Sequence, residues 1–554
     1  MNLPEPMPKQ FSSLMEDISS GRLKIPQFQR DFVWEIKKSA SLLDSIVKGY
    51  PVGAFIFWKT KERLRYVKNI GDLSLPETEK GDFVNFILDG QQRITSIFAA
   101  LKGETIKRSD GQVEDFSAIF VDLEADEDEK IVTTEIEGKD QHQLIKLRTL
   151  LYGGLTSLSS YDTKYHQKLE EYKKRIESYN YSVIQVNDVP IDVATEIFTR
   201  VNVGGKPLSP FEIMVAKTYD HDRNFDLSEK FEELIARLEE VHYETMSNST
   251  VLQIISLIIA KECKKKVILN LDKEKFIEIW DNVCEAIEQT VEYFRNYYRI
   301  PVSNLLPYNA LIVPFAYFFY NHKDRPLGDK QKYLEDFFWR VALSGRYSSS
   351  VESRLAQDIK KVDKILKDEL PEYEWPISSS STFINNNGRF GAGRSYVKAI
   401  LCIYAFHQPK SFADNSVVNI SNDWLKQANS KNYHHFFPRA YLRKSGVSEE
   451  KSNHILNITI VDDFLNKKKI RDKPPSQYMT EFNKSNPQLS ETMKTHLINN
   501  LEEFGVWSDN YEAFFASRAS LVSQEIEKRI IKQEIDNELQ PALVEVTSEE
   551  GEMA

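Results

Sequence analysis

The chain has 554 residues with a net charge of -11, and its 41% hydrophobic and 28% charged content, with only 21 Gly and 21 Pro, excludes a collagen-like, low-complexity or wholly disordered polymer. The length suits about three or four domains of roughly 150 residues each. Its longest apolar stretches, 251–260 and 311–320, are about ten residues long, short of the roughly 18 to 20 that a membrane-spanning helix needs. They are expected to be buried core helices. Residues 1–10 carry three prolines and no apolar segment, and the three cysteines, Cys263, Cys284 and Cys402, are far apart. Neither a secretory signal, a disulfide framework nor a thiolate zinc site is expected, and the expected location is a reducing cytoplasm.

In chain order, residues 54–58, 83–88, 118–123 and 182–186 read as strands, being rich in Phe, Ile and Val and bounded by Gly, Asp or Asn. Residues 36–48 and 91–101 read as helices stopped by Gly49 and Gly103. The acidic run 124–139 is expected to be a solvated hairpin or loop. These elements predict an α/β or α+β domain over 1–209. From 210 to 375 the apolar residues fall at helical spacing, as in Phe231, Leu234, Ile235, Leu238 and Val241, and predict an all-helical middle domain. The segment holding Phe338, Trp339, Arg340, Arg346 and Arg354 suits packing with surface charge better than contact with a DNA backbone. Ser, Asn and Gly between 378 and 393 mark loops at the junction to a last domain, 376–540, in which 509–540 reads as a terminal helix. Residues 541–554, with four Glu and no Lys or Arg, are expected to be disordered.

Two constellations carry chemistry. The first is Tyr433-His434-His435-Phe436-Phe437-Pro438, then Asn457-Ile458-Thr459-Ile460-Val461, then Asn466-Lys467-Lys468-Lys469-Ile470. Adjacent histidines on a strand point to opposite faces, so one can hold a metal while the other works on a water only if the strand end is twisted enough to bring both to one site. Between 431 and 473 ten Lys or Arg face five acids, an excess of +5 in an otherwise acidic chain. His454 precedes Asn457 by three residues, and a surface role suits it best. The second constellation is Ile25 to Trp34, with Gln29 and Arg30, followed by Ile87-Leu88-Asp89-Gly90-Gln91-Gln92-Arg93. There a strand turns on Asp89-Gly90 into a helix, and its free N–H groups with Arg93 suit a phosphate, while Asp89 suits Mg²⁺ or a water. An equally good reading is that Asp89 caps the helix and Arg30 and Arg93 form structural ion pairs. No Gly-x-x-x-x-Gly-Lys-Ser/Thr phosphate loop occurs.

The C-terminal constellation resembles the HNH, or ββα-metal, nuclease motif, in the form found at the C-terminus of GmrSD-type modification-dependent (Type IV) restriction enzymes. The resemblance implies that His435 is the general base and that His434 and Asn466 hold one divalent cation, Mg²⁺ or alternatively Mn²⁺ or Ni²⁺. It implies that Asn457 braces the loop carrying the histidines, and that Lys467, Lys468, Lys469 and Arg471 meet DNA. His stands where many HNH enzymes have Asp, and Asn where their last His stands. The N-terminal runs resemble the ParB/sulfiredoxin-like domains that open GmrSD-type proteins, where Asp-Gly-Gln-Gln-Arg is tied to NTP binding and hydrolysis. That implies a nucleotide site of Gln29, Arg30, Asp89, Gly90, Gln91, Gln92 and Arg93. The segment Asn202-Val203-Gly204-Gly205-Lys206-Pro207-Leu208-Ser209 fits a later element of the same domains. The implied whole is a multidomain α+β protein: a nuclease of antiphage defence acting on modified DNA, glucosylated, hydroxymethylated or phosphorothioated, with a homo-oligomer among the implied states. A non-catalytic, nucleotide-switched DNA-binding protein and a partner-restrained toxin-like nuclease are the alternatives.

Overall fold

The computed structural model describes residues 4–26, 32–62, 64, 66, 69–70, 73–74, 76, 81–107, 112–126, 128–201, 208–220, 222–391, 393–422, 433–461, 470 and 472–538. Gln29, Arg30, Asn466, Lys467, Lys468, Lys469, Arg471 and the acidic tail lie outside them. The chain forms two compact units, 1–227 and 228–554, and mixes helices with small sheets. Among the described residues no helix is long and apolar enough to cross a membrane.

The first unit holds a mixed five-stranded sheet. Its elements are β1 (Glu5–Gln10), α1 (Phe11–Ser19), β2 (Leu23–Lys24), α2 (Ile36–Val47), β3 (Phe55–Thr60), β4 (Val84–Asp89), α3 (Gln91–Lys102), β5 (Phe120–Asp122), β6 (Val132–Thr133), β7 (Leu144–Lys146), α4 (His166–Glu177), β8 (Asn180–Asn187) and α5 (Pro210–Thr218). The sheet order is β1-β8-β3-β4-β2. The proline-rich N-terminus is its edge strand, antiparallel to β8 from Glu5↔Gln185 to Gln10↔Asn180. An edge is where prolines do least harm, because their missing N–H groups can face away from the ladder. Phe55, Phe57 and Ile87 of the central strands pack with Leu43 and Ile46 of α2 and Ile94, Ile97 and Phe98 of α3.

The acidic run 124–139 is not simply a solvated loop. Its middle forms β6, which pairs with β5, because Asp44 Oδ1 accepts the Ile131 and Val132 N–H groups at 2.7 and 3.0 Å. Those N–H groups anchor an apolar pair, Ile131 and Val132, that packs into the core. Ser209 opens α5 with a reciprocal capping box to Glu212.

The second unit begins with helices: α6 (Asn248–Ala260), α7 (Lys273–Asn296), α8 (Ile312–Asn321), α9 (Gly328–Ala342) and α10 (Val351–Leu366). The first long apolar stretch lies within α6 and the second, apart from Leu311, within α8, and both are largely buried. Phe294, Tyr298, Phe315 and Phe338 form an aromatic core. The arginines of this region serve internal partners. Arg340 is fully buried and forks between Asp336 and Asp536, Arg346 grips Asp358, and Arg354 donates to the Gly345 carbonyl. Beyond them lie α11 (Ser381–Asn387), α12 (Ser395–Phe406), β9 (Tyr433–His435), β10 (Ile458–Ile460), α13 (Pro475–Ser485) and α14 (Tyr511–Glu527). The terminal helix stops at Glu527 instead of running to 540. The chain then turns back so that the Ile531 carbonyl and Asp536 can satisfy Arg340.

Candidate active site

Strand β9 pairs antiparallel with β10, His434 opposite Thr459 and His435 opposite Ile458. The strand pleat sends the two imidazoles to opposite sides. His434 is buried, with ring edges of Phe412, Phe436 and Tyr478 about it. Its Nδ1 lies 2.9 Å from Thr459 Oγ1, and the Thr459 hydroxyl donates to the His434 carbonyl at 3.4 Å. The hydroxyl oxygen therefore accepts from Nδ1–H, which leaves the lone pair on Nε2. That atom is buried and has no hydrogen-bond partner among the described residues. Burial, with smaller contributions from His435 and His496, pulls this ring down to about 3, so it is neutral at physiological pH. A neutral imidazole with one nitrogen held by an oxygen and the other bare is the form in which His binds a divalent cation, and to that extent His434 fits the ligand role.

His435 is half-buried on the other side. Asn453 Nδ2 donates to the Phe390 carbonyl at 3.4 Å, so its Oδ1, 2.8 Å from His435 Nε2, accepts the ring N–H. Nδ1 of His435 is then the basic nitrogen. Burial, opposed by the Asn453 bond and assisted by Arg439, lowers this ring to about 4. An anionic phosphodiester beside it would raise that value toward neutrality.

Asn457 is fully buried. Its Oδ1 accepts the Phe437 N–H at 2.8 Å, and its Nδ2 donates to the carbonyls of Phe437 and Ser452, both at 2.9 Å. It thus ties the turn after the histidines to the turn before β10. Tyr478 of α13 donates to the Phe436 carbonyl at 2.6 Å, Phe436 stacks on Phe514 of α14 at 4.9 Å, and buried Arg518 donates to the Leu456 carbonyl at 2.7 Å. The hairpin is held from both flanking helices.

His454 is not a surface residue. It is buried, its Nδ1 accepts the Leu456 N–H and its Nε2 meets the Asn385 carbonyl at 3.2 Å. Gly388 makes that approach possible, since a Cβ there would lie 2.3 Å from His454 Cε1. Asn453 goes unmarked in the sequence, Thr459 figures there only as part of the run from Asn457, and 385–393 only as a junction loop. The one available signal was the density of Asn, Gly and Arg in 385–394, which also reads as an ordinary loop. Among the described residues no three His, Cys, Asp or Glu gather as a metal cluster.

In the first unit, β4 ends at Asp89, Gly90 turns with φ 98, and α3 begins at Gln91 with no side-chain cap. Only glycine suits the turn: besides its φ, a Cβ would lie 2.2 Å from the Phe55 ring. Arg93 donates to the carbonyls of Val52 (2.7 Å) and Ala54 (2.9 Å) and to Asp89 Oδ2 (3.0 Å). Gln91 and Gln92 are buried, and Gln92 Oε1 accepts the Val33 N–H at 2.9 Å. The Asp89 carboxylate, 31% exposed, is the most open side chain at this joint, and Arg93 fixes its orientation.

Residues 11–219 match the family model of the GmrSD restriction endonuclease, N-terminal domain, so this part of the chain is similar to that domain. The chain is also similar to an uncharacterized protein, MJ0686, of Methanocaldococcus jannaschii, with 24% identity over 560 residues that cover 89% of this chain and 91% of that protein.

Proposed function

We propose that this protein is a metal-dependent HNH endonuclease of antiphage restriction that nicks or cuts modified DNA under control of an NTP bound by its N-terminal domain. The observation that best supports the nuclease is the His434-His435 pair itself: His434 Nε2 is buried without a hydrogen-bond partner among the described residues, and His435 is oriented by Asn453, while a shared phosphate requires the strand end to twist enough to bring both rings to one site. His435 Nδ1 takes a proton from the water that attacks phosphorus, and the Asn453 amide keeps the ring aimed while it does so. His434 and Asn466 would hold Mg²⁺, Mn²⁺ or Ni²⁺. Such an ion, when bound, orients the scissile phosphate and stabilises charge on the leaving 3′ oxygen. Lys467, Lys468, Lys469 and Arg471 supply phosphate contacts. Asp89, with Gly90, Gln91, Gln92, Arg93, Gln29 and Arg30, forms the NTP site. Dependence on modification follows from the family likeness and from the need to spare the host's own DNA.

The test is cleavage of matched modified and unmodified phage DNA with Mg²⁺, with and without NTP, wild type beside His435→Ala. Cleavage of modified DNA alone, reduced about 10²- to 10⁴-fold in the variant, is the expected result. A His435→Ala protein that cuts as fast as wild type removes the assigned base.

A further inference from the structure

A cavity of about 810 Å³ has Arg389, Phe390, Arg394, Asn385 and Asn386 in its lining, and Phe390 separates it from His435. That volume is within the roughly 300 to 1,000 Å³ of ligand sites. One wall is the 385–394 segment, which is tied into the HNH hairpin at several points. Phe390 N–H donates to the Asn453 carbonyl at 2.9 Å, Ile455 N–H donates to the Gly388 carbonyl at 2.8 Å, and Asn453 joins the Phe390 carbonyl to His435 Nε2. The Phe390 ring stands edge-on to the His435 ring with centroids 6.4 Å apart. An occupant of the cavity is thus one aromatic ring, that of Phe390, away from His435.

The lining has the chemistry of a nucleotide site. Asn385 and Asn386 are exposed amides able to pair with base edges, and Phe390 offers an aromatic surface. Of the charged residues in the lining, Lys451 and Glu512 pair with each other, and Arg389 and Glu450 lie in the same lining. Arg389 is exposed and has no ion-pair partner among the described residues, whereas Arg394 donates to the Arg389 carbonyl at 2.5 Å.

We propose that this cavity is a subsite for one nucleotide of the DNA strand flanking the scissile phosphate, with its base between Phe390 and the Asn385 and Asn386 amides and its phosphate at Arg389. The inference rests on the nuclease reading of His435 and gives the nuclease end its own choice of nucleotide at the cut, separate from sensing by the N-terminal domain.

The experiment uses the full-length protein with Mg²⁺ on DNA that the wild type cuts, and compares Asn386→Ala and Arg389→Ala with wild type in steady-state kinetics and in strand-resolved mapping of cut positions. Both side chains are exposed, and circular dichroism confirms that the variants are folded. A 5- to 20-fold rise in KM, with kcat changed less than threefold for Arg389→Ala and an altered base preference next to the cut for Asn386→Ala, is expected. Unchanged KM and an unchanged cut map in both variants overturn the subsite and leave the nuclease intact. Failure of the wild type to cut any DNA overturns both.

Discussion

His435 and its neighbours work only as well as the turn that carries them, and Asn457 sets that turn. It closes three hydrogen bonds to backbone groups in a fully buried place. Asn457→Ala leaves those groups unpaired and is expected to lower stability by about 2 to 4 kcal/mol, measured by urea unfolding. Aspartate in its place retains the acceptor for Phe437 N–H but turns the two donor bonds into repulsions, so it should do no better than alanine. The buried histidines add a pH dependence. His454 and His496 are both lowered from 6.5 to about 4, chiefly by burial. Between those values the unfolded chain takes up protons that the folded chain refuses, so stability is complete above about pH 6.5 and falls as the pH drops toward 4. The loss is on the order of 1 to 3 kcal/mol per ring. Urea midpoints that stay flat from pH 7 to 4.5 would mean that these rings accept protons at no cost in the folded state.

At the scale of elements, the joint between β4 and α3 depends on one guanidinium that serves two carbonyls and Asp89. A lysine has one nitrogen and cannot bridge all three. Arg93→Lys should therefore cost about 1 to 3 kcal/mol, read by thermal denaturation, before any effect on NTP turnover is considered. The Arg340 fork is more demanding, because removing the cation strands Asp336 and Asp536 in the interior. Arg340→Met should cost about 3 to 5 kcal/mol, and Asp336→Asn in the same chain should recover part of it. These cases also show what the sequence discloses. The strand ending in Asp89, the glycine turn and the helix after it were legible because alternation, Gly90 and the apolar spacing are local signals. So were the two histidines on one strand and the burial of the apolar stretches in α6 and α8. The edge strand Glu5–Gln10, the pairing of β6, the turn-back of 528–536 and the burial of His454 were not. Each is decided by a partner far along the chain, β8, Asp44, Arg340 and Asn385 respectively. Asn453 escaped notice for the same reason: nothing local marks an asparagine whose two ends meet His435 and Phe390.

For the whole molecule, a net charge of -11 and the proposed DNA substrate pull in opposite directions. The basic excess of +5 in 431–473 resolves the conflict only if DNA is engaged mainly there. Each phosphate neutralised releases counterions and adds about -0.9 to the slope of log K against log salt, so a footprint confined to the island gives a slope of about -4 to -5 despite the acidic chain. Replacing Lys467, Lys468 and Lys469 together by alanine should flatten that slope by about 2 to 3 and weaken all DNA sequences alike, because phosphate contacts carry no base information. Arg389→Ala, which removes one proposed phosphate contact, should flatten it by no more than about 1. Fluorescence anisotropy of one labelled duplex over a salt series, in the absence of divalent metal so that no strand is cut, separates these cases. A slope near zero for the wild type would place the DNA contact on hydrogen bonds and shape instead of charge. A steep slope that survives the triple substitution would move the contact away from the lysine run.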